Sequence, residues 1–207
     1  MTPDQPNQDP KKSSHEPRTR WARLGSILGF ELGLGGVAII LAILVGIDLR
    51  AHWVIDLATL NWAVLCTLPL LGLMLTLDSS DWAWVRVLNE PLEQHLKPIF
   101  EHLPRGGLFL VAISAGLGEE LLFRGVIQEG FSQWLGIPLG LILSALIFGL
   151  AHALNRYYVL VTVMIGLYLG LIYQASQNLA LVILIHALYD WIILRYLLLG
   201  RRFQQRS

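Results

Sequence analysis

Six apolar segments, at about 24–47, 60–77, 106–130, 135–154, 157–175 and 179–199, divide the 207-residue chain. Each approaches the ~20 residues needed to cross a ~30 Å hydrocarbon layer as a helix, the second being the shortest. In lipid, every backbone N–H and C=O must find its partner inside the protein, so runs of this kind fold as helices. A chain that is 55% hydrophobic and only 14% charged belongs with membrane proteins rather than soluble domains. The expectation is an all-α fold: a polytopic membrane bundle of about six transmembrane helices. The stretch "DWAWVRVLNEPLEQHLKPIF" mixes Trp, Leu and Ile with charges, as an amphipathic segment at the membrane surface would. A polar loop with short helices is the alternative for it.

Basic residues give the orientation. Lys11, Lys12, Arg18, Arg20 and Arg23 precede the first segment; Arg86, Lys97 and Arg105 lie between the second and third; Arg156 lies between the fourth and fifth; Arg201, Arg202 and Arg206 follow the sixth. With six crossings all of these fall on one side, and the other side receives only Arg50. The positive-inside rule then places both termini in the cytoplasm, with a bacterial plasma membrane as the expected location. Residues 1–23, rich in Pro, Gln, Asp and Lys, are expected as a disordered cytoplasmic tail. The first apolar segment is expected as a retained anchor rather than a signal peptide. Residues 24–105 would carry two membrane helices and the cytoplasmic amphipathic connection, 106–200 a catalytic core of four membrane helices, and 201–207 a basic tail.

Equal numbers of acidic and basic residues give no pull toward nucleic acid, and the single Cys66 excludes an intramolecular disulfide or a CxxC pair. Gly25, Gly29 and Gly33, then Gly136, Gly140 and Ser144, then Gly166 and Gly170, repeat every four residues. Such stripes let helices approach closely in lipid, which is a packing device rather than chemistry.

Chemistry lies in the polar groups inside the apolar segments. An ionisable side chain at bilayer depth costs at least ~2.5–3.5 kcal/mol and normally faces protein or a water-filled cavity. In "SAGLGEELLFRG", Glu120 and Arg124 are four apart and share a helical face, while Glu119 points about 100° away. The arginine neutralises Glu120 as an ion pair bracing the bundle, and Glu119 stays free. Phe148 and His152 are four apart on the face of the Gly136 stripe, and "HALYD" places His186 and Asp190 one turn apart. Taken alone, His152 fits a satisfied core or interfacial histidine, and Asp190 fits either a carboxylate that fixes an imidazole or a direct participant. Glu31, in the first segment, is expected at the interface with no role.

Glu119-Glu120-Leu-Leu-Phe-Arg124, Phe148-Gly-Leu-Ala-His152 and His186-Ala-Leu-Tyr-Asp190, occurring in that order, resemble the three motifs of the CPBP family, the CAAX prenyl proteases 2 and bacteriocin-processing proteins also called Abi. The resemblance covers about residues 90–199. It implies an intramembrane endopeptidase with Glu119 as the catalytic glutamate, His152 as its partner in activating water, and His186 with residue 190 holding the scissile carbonyl or its oxyanion. Phe148 would wall the cavity. The family's eukaryotic pattern ends in Asn where this chain has Asp190. An ionised Asp cannot donate to an oxyanion, so Asp190 is either protonated or orients His186, and orientation is the favoured role.

Hydrolysis needs an activated water, a proton for the leaving amine and donors where negative charge develops. No GxSxG or HExxH motif is present, so water attack without a nucleophilic side chain remains. Glu119, His152 and His186 are also candidate zinc ligands, but a glutamate-dependent mechanism requiring no cofactor is the preferred expectation. The expected partners are the bilayer and a peptide or lipid-anchored protein; oligomeric state is not legible. "RRFQQRS" is no prenylation box. The alternatives are a non-catalytic membrane chaperone or bacteriocin self-immunity protein and, further off, a proton or solute transporter.

Overall fold

A computed structural model describes residues 10–199; residues 1–9 and the basic tail 201–207, with Gly200, lie outside the described residues. The described chain is helical throughout: α1 (Pro10–Val45), a 3₁₀ turn (Leu49–His52), α2 (Leu57–Asp78), α3 (Ala83–Pro91), a π-helical turn (Leu92–Leu96) and α4 (Lys97–Phe100). A second set follows, with α5 (Gly107–Glu120), a π-helical segment (Leu121–Gln128), α6 (Glu129–Leu135), α7 (Ile137–Ala151), α8 (Arg156–Ser176) and α9 (Leu179–Leu199).

Among the described residues, four helices are long and apolar enough to cross a membrane: Arg18–Val45 within α1, Leu57–Asp78, Arg156–Ser176 and Leu179–Leu198. The expected third segment is helical from 107 to 135 without a break, but its middle is π-helical, so no regular helix within it reaches spanning length. α7 is apolar and has 15 residues. α1 begins at Pro10, inside the stretch 1–23 expected as a tail. Hydropathy marks where apolar side chains start, whereas a helix closes its hydrogen bonds within its own backbone and needs no apolar partner to continue. The amphipathic connection is helical, with Val85 and Leu88 of α3 buried.

Caps fix where the helices start. The Asp56 carboxylate accepts from the Thr59 backbone N–H at 2.7 Å and its hydroxyl at 2.8 Å, opening α2. Asn155 accepts from the backbone N–H groups of Tyr157 and Tyr158 at 3.0 and 2.9 Å, while its own amide donates to the Val87 carbonyl at 2.7 Å. One side chain therefore starts α8 and ties the surface helix α3 to it. Asn178 joins the α8–α9 turn to the α1–α2 loop, accepting from Val54 N–H at 3.2 Å and donating to its carbonyl at 2.9 Å.

α5 sits between α9 and α1, α7 lies along α8, and α2 packs on α9. Two glycines make the central contacts possible. A Cβ at Gly116 would lie 2.9 Å from the Ile183 carbonyl of α9, and one at Gly118 would overlap the Glu31 carbonyl of α1. The other stripes divide. Gly140, Gly166 and Gly170 are close approaches, but Gly25, Gly29 and Gly33 have nothing within 4 Å of an added Cβ and serve no contact within the described chain. The buried face of α1 carries Gly35, Ala38 and Ala42 instead.

Candidate active site

The segment Ser114–Gly125 brings two carboxylates and a guanidinium into the middle of the bundle. Glu120 and Arg124, 0% and 1% exposed, meet as Arg124 Nη1 donates to Glu120 Oε1 at 2.6 Å. Arg124 Nη2 donates to the Gly166 carbonyl at 3.0 Å, and the guanidinium lies 4.6 Å from the centroid of the Phe148 ring. One turn on, Gln128 Nε2 donates to the Gly170 carbonyl at 3.0 Å. These are two rungs of one ladder: a side chain every four residues along the π-helical segment meets a glycine carbonyl every four residues along α8. The Gly166–Gly170 stripe admits this polar contact, since a Cβ at Gly170 would stand 2.7 Å from Gln128 Oε1.

Glu120 has a second partner that spacing along the chain does not disclose. His186 Nδ1 lies 2.7 Å from the same Oε1 that accepts from Arg124. Because Glu120 is an acceptor, Nδ1 carries the proton and Nε2 is turned the other way, 3.5 Å from Asp190 Oδ2. Orientation of His186 was expected from Asp190; the shorter contact comes from Glu120.

Glu119, 8% exposed, faces the other histidine, with Oε2 at 3.3 Å from His152 Nε2, an ion-pair separation without hydrogen-bond alignment. His152 Nδ1 is 2.8 Å from the Phe148 carbonyl and so donates to it. With Nδ1 donating to Phe148, a proton on Nε2 makes His152 an imidazolium facing the Glu119 carboxylate, so the two form one acid–base unit. Ser144, expected only as part of a packing stripe, donates to the Phe123 carbonyl at 2.8 Å and fixes α7 against the π-helical segment. Phe148 packs edge-on to Phe123, with ring centroids 5.0 Å apart, and lies against the His152 ring at 4.5 Å.

Glu119, His152, His186, Asp190 and Phe148 all line one cavity of about 360 Å³. The rest of its wall is apolar, built by residues such as Leu70 and Leu77 of α2, Leu88 of α3, Phe100 of α4, and Ile193 and Leu197 of α9. The amphipathic connection thus forms part of the chamber. Glu31 lines it too and is half-buried, with Oε2 fully buried. Glu31 was expected at the interface with no role, and the structure puts it in the chamber wall. The available signal was its register: Glu31, Gly35, Ala38 and Ala42 share the face that α1 presents to the bundle. Tyr158 and Tyr189, which carry no recognisable motif, also line the chamber. Among the described residues no three His, Cys, Asp or Glu side chains come together as a metal site, so Glu119, His152 and His186 do not fit zinc as placed and no step is derived through one.

Residues 102–192 match the family model described as type II CAAX prenyl endopeptidase Rce1-like. No curated protein and no solved structure matches the chain. The matched stretch contains all three motifs and excludes α1 and α2, which supply Glu31 and part of the apolar wall.

Proposed function

From the premise that residues 102–192 form an Rce1-like segment, we propose that this integral membrane protein is an endopeptidase that cuts a membrane-associated peptide or lipid-anchored protein within the chamber. The observation that carries the proposal is that a Glu119–His152 pair 3.3 Å apart and a His186 held by Glu120 line one cavity.

Each group has a task that its surroundings support. Glu119 takes a proton from water as the oxygen attacks the scissile carbonyl, and His152, anchored by Phe148, positions that water. His186, with Nδ1 engaged by Glu120, presents a protonated Nε2 as donor to the oxyanion, and Asp190, 3.5 Å from that same nitrogen, favours its proton. Glu120 and Arg124 hold the frame. The reaction in this reading requires no metal. The apolar wall suits an alkyl or isoprenoid chain, so a farnesylated CAAX end is the first substrate form to test. Counting 107–135 and α7 as further crossings gives six spans, with both termini on the basic, cytoplasmic side of a bacterial plasma membrane.

The test is cleavage of fluorogenic peptides, with and without a farnesylated CAAX end, by purified wild type, Glu119→Gln and chelator-treated protein. Cleavage should fall by about 10²–10⁴-fold in Glu119→Gln, with melting unchanged, and survive chelation. Normal cleavage by Glu119→Gln would falsify the assignment of the base, and loss on chelation would replace it with a metal mechanism. A chaperone or immunity protein would bind peptide equally in both forms and cleave with neither.

A further inference from the structure

Glu31 brings a fourth carboxyl to the site from a helix outside the family match. Its placement is built: the Glu31 carbonyl rests where a Cβ at Gly118 would be, immediately before Glu119, so α1 is clamped to α5 at this level. The Glu31 carboxyl shares the chamber with Glu119 from α5, His152 from the end of α7, and His186 and Asp190 from α9. The two remaining charged groups of the chamber are committed elsewhere, Lys97 to Glu101 at 3.9 Å and Asp78 to the Tyr196 hydroxyl at 2.6 Å.

Charge then has to balance. Glu31, Glu119, Glu120 and Asp190 offer four negative charges, against Arg124, His152 and His186, which offer three positive charges only with both imidazoles protonated. An uncompensated charge at this depth is costly, so a proton stays on one carboxyl. Glu120 has Arg124 and His186, Glu119 has His152, and Asp190 has His186. Glu31 has a buried oxygen without a hydrogen-bond partner and no cation at ion-pair distance among the described residues.

We propose that Glu31 is the general acid of this site: a neutral carboxylic acid that gives its proton to the leaving amine. This inference rests on the endopeptidase reading above. Water loses one proton to the Glu119–His152 unit and its oxygen bonds to the scissile carbon; as the tetrahedral intermediate collapses, the C–N bond breaks and the nitrogen takes the Glu31 proton. The unit then returns its extra proton to Glu31, leaving carboxylic acid and amine as the net products of peptide and water. Two carboxyls in one low-dielectric cavity, one ionised and one protonated, are divided between base and acid in this way.

The test pairs each peptide with an aryl ester of the same acyl part, whose phenolate leaves without a proton. Glu31→Gln should lower kcat on the peptide by on the order of 10²–10⁴-fold with KM little changed, yet retain most of the wild-type rate on the ester; Glu119→Gln should lose both. Glu31→Asp, which keeps a carboxylic proton on a shorter arm, should recover part of the peptide rate and serves if Glu31→Gln does not fold. Independently of any substrate, the wild-type infrared spectrum at neutral pH should contain a buried carboxylic C=O band that is retained in Glu119→Gln and shifted in Glu31→Asp. Equal losses on peptide and ester, or no such band, would overturn the acid role with the endopeptidase reading intact. A wild type that cleaves neither substrate would overturn the endopeptidase reading and the acid role with it.

Discussion

His186 Nδ1 and Arg124 Nη1 converge on a single oxygen, Glu120 Oε1, at 2.7 and 2.6 Å. The glutamate next to the catalytic candidate is therefore the joint between the bracing ion pair and the proposed oxyanion donor. A buried charge that loses its partner is penalised far more than one that never had to be buried. Glu120→Gln should destabilise the protein by about 3–5 kcal/mol, because Arg124 stays buried beside a neutral amide. Thermal unfolding in detergent checks this, and the double variant Glu120→Gln/Arg124→Met should melt above the single variant. An unchanged melting temperature in Glu120→Gln would remove the bracing role.

Gly118 and Gly29 make opposite predictions from the same residue type. Gly118→Val drives a side chain into the Glu31 carbonyl and should cost about 1–3 kcal/mol, lowering activity by displacing α1 from the chamber. Gly29→Ala meets nothing within 4 Å and should be neutral to slightly stabilising through helix propensity. Melting curves of the two variants, with cleavage rates alongside, decide it; equal effects would mean that the α1–α5 contact is not the closest approach in the fold.

Asp56 predicts a pH dependence. Hydrogen bonds from the Thr59 backbone N–H and hydroxyl hold its carboxyl below the ordinary value. A depressed carboxylate stabilises the fold at pH values above its ordinary range, and that contribution is lost as pH falls through the depressed value. Asp56→Ala should lower the melting temperature at neutral pH and converge with wild type on acidification. Parallel curves across the acidic range would rule the cap out as their source.

Asn178 predicts a local effect. Its amide makes both bonds to Val54, and its carbonyl oxygen also accepts from Ala180 N–H at 3.0 Å. Asn178→Ala should cost about 1 kcal/mol per lost bond and speed amide hydrogen exchange in the α1–α2 loop, with the exchange of α5 unaffected. A uniform rise in exchange along the chain would show that the loop tie is not local.

Sequence patterning carried the motifs and their order because each motif contains a pair of residues four apart, and the structure brings Phe148/His152, His186/Asp190 and the Glu119 beside the first pair to one chamber. Contacts across helices could not be seen that way. Glu120 to His186 spans 66 positions and Arg124 to Gly166 spans 42, and no local period encodes either. Glu31 was passed over for the same reason: a lone acid in an apolar segment has no partner along the chain. The Gly166–Gly170 stripe was legible as close packing but not as the seat of a polar ladder. Gly25, Gly29 and Gly33 had an identical signature and no counterpart within the described chain. The π-helical segment cost the third membrane segment its regular length, and no residue within Leu121–Gln128 marks it in advance.

The ladder between the π-helical segment and α8 also bears on how the protein is made. Arg124 is synthesised 42 residues before Gly166, which at a ribosomal pace of about 5–20 residues per second is a delay of roughly 2–8 s. His186 follows Glu120 by 66 residues, or roughly 3–13 s. Through that interval Glu120 and Arg124 have only each other, one turn apart on the same helix. Glu120 and Arg124 thus wait as a neutral couple, and the bonds of that couple to Gly166 and His186 close only when the last two helices arrive.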